Sequence, residues 1–256
     1  MSNIFKIFLF LLTIPLIFLG IFILAPKKST QDPMVKTNQN KVAEIKTEAT
    51  LTPSPAPSPA KMPVVDKYIL HKNNVATMFW VGEKATDAND YIPNEKSSWD
   101  GNWLEHFGGI DNPYTRDGYF PVGFTPLENP FYYALPYNDL DENGQKESAK
   151  NIPWYNSSVG KWGSILKNRW IEIKHKNQVC YGQWEDTGPF EYDDFDYVFG
   201  NKRPLEERAG IDLSPAFRHC LQMAGNGYVD WKFVDFEDVP DGPWKEIITT
   251  SGVNWQ

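Results

Sequence analysis

The sequence predicts a mostly β protein, a barrel of short strands with one short helix between the late ones. Three observations carry this. From Val64 onward the apolar runs are short, rich in β-branched and aromatic residues, and separated by turn residues. Trp170–His175 and Gln178–Trp184 flank a Lys176-Asn177 turn and read as a hairpin. One segment carries both helix-end signals, with Ser214 as N-cap, Pro215 at the first helical position and Gly225 just past the end.

Taken in chain order, Ile7 to Pro26 is an uncharged run rich in Ile, Leu and Phe. At ~1.5 Å per residue such a helix would cross a hydrocarbon core of about 30 Å. Residues 1–26 are therefore expected to be an N-terminal transmembrane signal-anchor. A cleaved signal peptide is the rival reading, with Lys6 as its basic start. Residues 27–64 lack hydrophobic periodicity and end in Pro53-Ser54-Pro55-Ala56-Pro57-Ser58-Pro59-Ala60. Such a stretch cannot bury a core and favours extended polyproline conformations, so it reads as a disordered, semi-rigid linker. Residues 65–256 are the globular domain. Val75–Val81, Phe131–Leu135 and Val229–Val234 join the hairpin as expected strands. Ala216, Phe217, Cys220, Leu221 and Ala224 give the helix an apolar face. Residues 83–130, rich in Gly, Pro, Trp and Asp, read as an elaborated loop region.

Charge divides along the same line. Residues 1–64 hold seven Lys against Asp32, Glu44 and Glu48. Removing those from the chain's 25 basic and 33 acidic residues leaves 18 and 30, so the globular part carries −12. So acidic a domain lacks the basic footprint that a phosphate backbone requires, which excludes nucleic acid as an expected partner. Neutral or amphoteric ligands with flat apolar faces fit better. Lys27, Lys28 and Lys36 after the apolar run outnumber Lys6 before it, and a literal charge count would place the domain in the cytoplasm.

Several chemistries have no motif here. There is no Gly-rich phosphate cradle and no G-x-S-x-G elbow. No H-E-x-x-H or C-x-x-C spacing exists, so neither a metal nor a cofactor is expected. Cys180 falls mid-strand and Cys220 on the helix's apolar face. Both read as core residues, and a bridge between them is left open. What remains is carboxylates and aromatics. Glu185-Asp186-Thr187-Gly188-Pro189-Phe190 places two acids where the second hairpin strand ends in a turn, and Asp212 precedes the helix. Trp99, Trp103, Trp154, Trp162 and Trp184 are candidate stacking platforms for sugar rings, Trp184 foremost because it adjoins Glu185 and Asp186.

Val179–Phe190, followed by Ala209-Gly210-Ile211-Asp212-Leu213-Ser214-Pro215-Ala216-Phe217-Arg218, resembles the core signature of double-psi β-barrels. Those of the rare lipoprotein A family carry D-R-G-P-F then I-D-L-S-x-A, and the expansins a related pair. The likeness continues through Gly225–Gly227 into Val229–Val234 and covers about 55 residues. Ala76-Thr77-Met78-Phe79-Trp80 resembles the expansin opening strand, and Ala134-Leu135-Pro136-Tyr137-Asn138-Asp139 the middle segment of the rare lipoprotein A domain. Thr187 stands where that family has Arg, Gly210-Ile211 replace the expansin His, and Glu191–Arg208 is a long acidic insertion expected over one end of the groove.

The resemblance implies a six-stranded double-psi β-barrel outside the cytoplasm, opposite to the charge count, with a cell-wall glycan such as peptidoglycan as partner. It implies Asp212 and Asp186 as catalytic acids. Trp184, Glu185, Thr77, Glu83 and Asp139 are the implied substrate-binding residues, Glu83 with Asp87 lying near the place of a further acidic segment. A carboxyl kept protonated by its setting can donate to a glycosidic oxygen. Lytic transglycosylase, hydrolase and non-hydrolytic wall loosener are all open on this reading. A non-enzymatic barrel that docks or inhibits a protein is the alternative, because fold does not fix function.

Overall fold

The computed structural model describes residues 66–255. The expected anchor and linker lie outside the described residues. Among the described residues no helix is long and apolar enough to cross a membrane.

Six strands close a barrel: β1 His71–Met78, β2 Tyr132–Leu135, β3 Trp170–His175, β4 Gln178–Thr187, β5 Ile211–Leu213 and β6 Gly227–Phe233. Their order around the barrel is β1-β6-β3-β4-β2-β5, with β5 returning to β1. The β1/β5 and β2/β4 pairs are parallel and the other four antiparallel. The hairpin forms as expected, His175 opposite Gln178, with Lys176 taking the positive φ of the turn.

The strands alternate as a barrel wall must. Ala76, Tyr133, Leu135, Ile171, Ile173, Cys180, Trp184, Ile211, Leu213, Val229, Trp231 and Phe233 belong to the main core. Their neighbours Tyr132 and Ala134 face outward into a second cluster with Phe79, Val81, Trp103 and Phe107. Trp103 and Phe107 come from α1, Trp103–Phe107, so the long loop region supplies a folded outer layer over β2. Tyr132 ties the layers together: its hydroxyl donates to Asp111 at 2.8 Å and accepts from the Val81 N–H at 3.0 Å.

The acidic stretch Glu191–Arg208 is also folded. It forms α2, Phe195–Val198, and buries Tyr197 and Val198 in the main core. The helix after β5, α3, runs Pro215–Cys220 with the Ser214 side chain accepting from Phe217 N–H. It stops before the expected Gly225. Gln222, at φ 54°, provides the left-handed turn, and Met223 N–H reaches back to the Arg218 carbonyl. Ala224 is correspondingly exposed rather than part of the apolar face. Gly182 of β4 is where α3 presses on the sheet: a Cβ there would collide with the Phe131 carbonyl and the Phe217 ring. Cys180 and Cys220 form a disulfide, Cα–Cα 6.4 Å, that fastens α3 to β4.

Candidate functional site

Three pairings place four residues in one row across the barrel wall. Thr77 of β1 pairs Asp212 of β5, Asp212 pairs Ala134 of β2, and Ala134 pairs Asp186 of β4. Laterally paired residues point to one side of a sheet. Ala134 faces outward, so Thr77, Asp212 and Asp186 do too. The two acids stand two strand spacings apart, about 10 Å between backbones, with only the Ala134 methyl between them.

A β-bulge decides which acid enters this row. Tyr133 pairs Trp184, but the next β2 residue, Ala134, pairs Asp186, leaving Glu185 as the extra residue. Without that insertion Glu185 would stand opposite Ala134. With it, Glu185 is buried and bonded to the Lys167 ammonium at 2.7 Å, also buried. Desolvation nonetheless pushes the Glu185 carboxyl up to about 7, against the pull of Lys167.

The row floors a pocket of about 340 Å³ that Glu83, Ser98, Gly188 and Tyr192 also line. Burial raises the Asp212 carboxyl to about 7; the Thr77 hydroxyl, which donates to Oδ1, opposes this, while the charges of Asp186 and Glu83 add to it. Asp186 is raised to about 6 by burial, against hydrogen bonds from the backbone N–H groups of Ser98 at 2.7 Å and Thr187 at 2.8 Å. Glu83 is raised by burial and accepts from Asn94 Nδ2 at 3.0 Å. With Asp212 raised to about 7 and Asp186 to about 6, the site near neutrality offers a proton on Asp212 close to a carboxylate on Asp186. Gly188, at φ +146°, leaves the side of Asp212 Oδ2 open: a Cβ there would lie 4.0 Å from that oxygen.

Thr77, Glu83, Asp186 and Asp212 are thus brought together. Three expected substrate-binding residues are not available to a ligand. Trp184 is fully buried, stacked on Tyr133 and Phe233 at 5.8 and 5.7 Å, because its register turns it into the barrel. It acts from beneath, its indole N–H donating to the Asp186 carbonyl at 2.7 Å. Glu185 is withdrawn by the bulge. Asp139 is buried, accepting from the Ser164 hydroxyl at 2.6 Å and the Ile165 N–H at 2.8 Å, which makes it a loop anchor. Trp99 and Trp103 are buried as well, and Trp154 packs against the core under the Arg169 guanidinium. Trp162 is exposed but does not line the pocket. Asp87 is exposed and likewise not part of its lining.

The aromatic rings that do line it are Phe79, Phe190 and Tyr192, Tyr192 half exposed. Phe190 was inside the acidic motif and Tyr192 in the insertion. Ser98 carried no sequence signal, since it binds Asp186 through its backbone. Among the described residues no group of three or more His, Cys, Asp or Glu side chains could hold a metal ion. No protein-family model matches the chain, and no curated protein does.

Proposed function

We propose that the pocket cleaves a cell-wall glycan of the peptidoglycan type, in a domain held outside the cytoplasm by its N-terminal anchor. Asp212 is the general acid and Asp186 its electrostatic partner. The observation that carries this is the Thr77-Asp212-Ala134-Asp186 row, which sets a carboxyl raised to about 7 beside a hydrogen-bonded carboxylate in an open pocket. The resemblance to double-psi β-barrels supports the same assignment, and the order and directions of the six strands are compatible with that architecture. The Cys180–Cys220 disulfide supports an oxidising compartment.

Asp212 gives its proton to the glycosidic oxygen as the bond from the anomeric carbon breaks. Asp186 stabilises the positive charge that develops on the ring. A hydroxyl of the same sugar then closes on the anomeric carbon and releases its proton to the carboxylate pair, so no water is consumed. Tyr192 and Phe190 offer ring faces for the sugars on either side.

The test incubates the full chain, wild type and Asp212→Asn, with purified sacculi and reads the released fragments by mass spectrometry. Anhydro-ended fragments from the wild type alone are expected. Reducing ends would instead mean hydrolysis, with Asp186 first in line as water base. Release that persists undiminished in Asp212→Asn would refute the acid. Binding without release from either protein would replace cleavage by a binding barrel.

A further inference from the structure

We infer that the pocket adjoining the acidic row is an anion subsite in which Arg218 receives a carboxylate carried by the bound saccharide. The inference rests on the glycan reading. Met78, next to Thr77, lines the acidic pocket on one side and a second pocket of about 500 Å³ on the other. Tyr114, Arg116, Arg218, His219 and Met223 are among the residues that line this second space, and no carboxylate residue does. In a domain of net charge −12, that is a local reversal of sign.

The two arginines differ. Arg116 is already neutralised by Asp111, and both side chains are buried. Arg218 has no ion-pair partner among the described residues. Its Nε donates to the Met223 carbonyl at 3.1 Å and its Nη2 to that of Ala224, so the turn after α3 fixes the guanidinium in place. Its Nη1 lies 3.2 Å from Met78 Sδ, at the seam between the two pockets. A thioether is a weak acceptor. A carboxylate there would replace it with a charge-assisted hydrogen bond to a donor already oriented. His219 on the same helix is exposed, and Tyr114, 82% exposed, offers a free ring face at the pocket mouth.

The domain's overall charge selects against densely anionic polymers but acts weakly at short range, where salt screening leaves neighbouring groups in control. One carboxylate per repeat, on a sugar adjacent to the bond over Asp212, satisfies both. The polarity would also fix substrate direction, with acid chemistry in one pocket and anion capture in its neighbour across Met78.

The test measures binding by the full chain in detergent, carrying Asp212→Asn so that strands stay intact. The probes are peptide-free peptidoglycan strands, whose sugars bear lactyl carboxylates, and the same strands with those carboxylates reduced to alcohols. Reduction is expected to weaken binding about tenfold. Arg218→Gln should abolish the difference and Arg218→Lys should keep part of it. Because Arg218 also braces the turn after α3, the comparison of the two strands on the unaltered arginine stands even if Arg218→Gln unfolds. Strands still bearing their peptides identify the carboxylate's source: binding tighter than to peptide-free strands places it on the peptide, weaker binding on the lactyl group. Equal binding of carboxylated and reduced strands overturns the subsite and leaves the glycan reading standing. Binding of no strand at all overturns both.

Discussion

Asp212→Asn should make the protein more heat-stable at pH 8 while removing its proton donor. Burial beside Asp186 and Glu83 lifts the Asp212 carboxyl from 3.8 to about 7, so the folded state holds a proton that the unfolded chain releases. The stability linked to that proton is fully present below about pH 4 and falls as pH rises through 7. Above that the ionised carboxylate is a standing cost of folding. At 1.36 kcal/mol per pH unit the whole interval caps the cost at about 4 kcal/mol. Asp212 keeps some exposure and accepts the Thr77 hydroxyl, both of which favour the charged form. About 1–2 kcal/mol is therefore the expected gain from a neutral amide, which for a domain of this size is about 2–8 °C. Thermal unfolding of wild type and variant at pH 4 and pH 8, followed by near-ultraviolet circular dichroism, reads it directly. The gain should appear at pH 8 and vanish at pH 4. A variant equally or less stable than wild type at pH 8 would refute the reading that Asp212 is held against its ionisation.

Two substitutions in the row should move Asp212 in opposite directions when its side-chain carbon is followed by NMR. Thr77→Val removes a hydrogen bond to the ionised form and raises the titration, whereas Asp186→Asn removes a like charge and lowers it by about one pH unit. Movement in the same direction for both would break the model of the row. Lys167→Met removes the cation from a buried Glu185 carboxyl already raised to about 7, so the acid stays protonated: the loss in urea denaturation should be small near pH 7 and grow by about 1.4 kcal/mol per pH unit above it. Adding Glu185→Gln should remove that pH dependence, and a loss that does not change between pH 7 and pH 9 would refute the buried pair. Reducing the Cys180–Cys220 bridge, which spans 40 residues of sequence, should lower stability by about 4 kcal/mol. An unchanged denaturation midpoint with reductant would contradict that.

The parts of the fold legible in the sequence are those with local causes. The hairpin over residues 170–187 announces itself by two β-rich runs around a short turn, and α3 by Ser214-Pro215. Strand β5 has only three residues, Ile211–Leu213, too few for any periodicity. It exists because β1 and β2, both distant in sequence, hold it from either side. The tryptophans misled because an indole has the same sequence signal in a core as on a platform, and only the pairing of Trp184 with Tyr133 settles which way it points. The insertion reads as acidic by Glu191, Asp193, Asp194 and Asp196, while Phe195, Tyr197 and Phe199, with Val198, carry it into or against the core. Those aromatics were the better signal, since burying one repays the ordering of several polar neighbours.

The same distinction explains why Asp186 and Asp212 could be named from sequence while their relation could not. Each sits in a short local motif, but their proximity depends on β2, which neither motif contains. Ala134 is the shared neighbour, and its single methyl lets both carboxyls stand over the same floor. The bulge at Glu185 is the second condition. Strict alternation would turn Glu185 outward and Asp186 inward, reversing which carboxyl meets Asp212. Lys167 gives the displaced Glu185 a buried partner, so the ion pair that looks like a stability feature also holds the register of the site. A pair of acids raised toward neutrality costs folding energy, and a fold keeps such a pair only where surrounding structure over-determines it. Here the barrel register, the bulge and the buried ion pair together impose it.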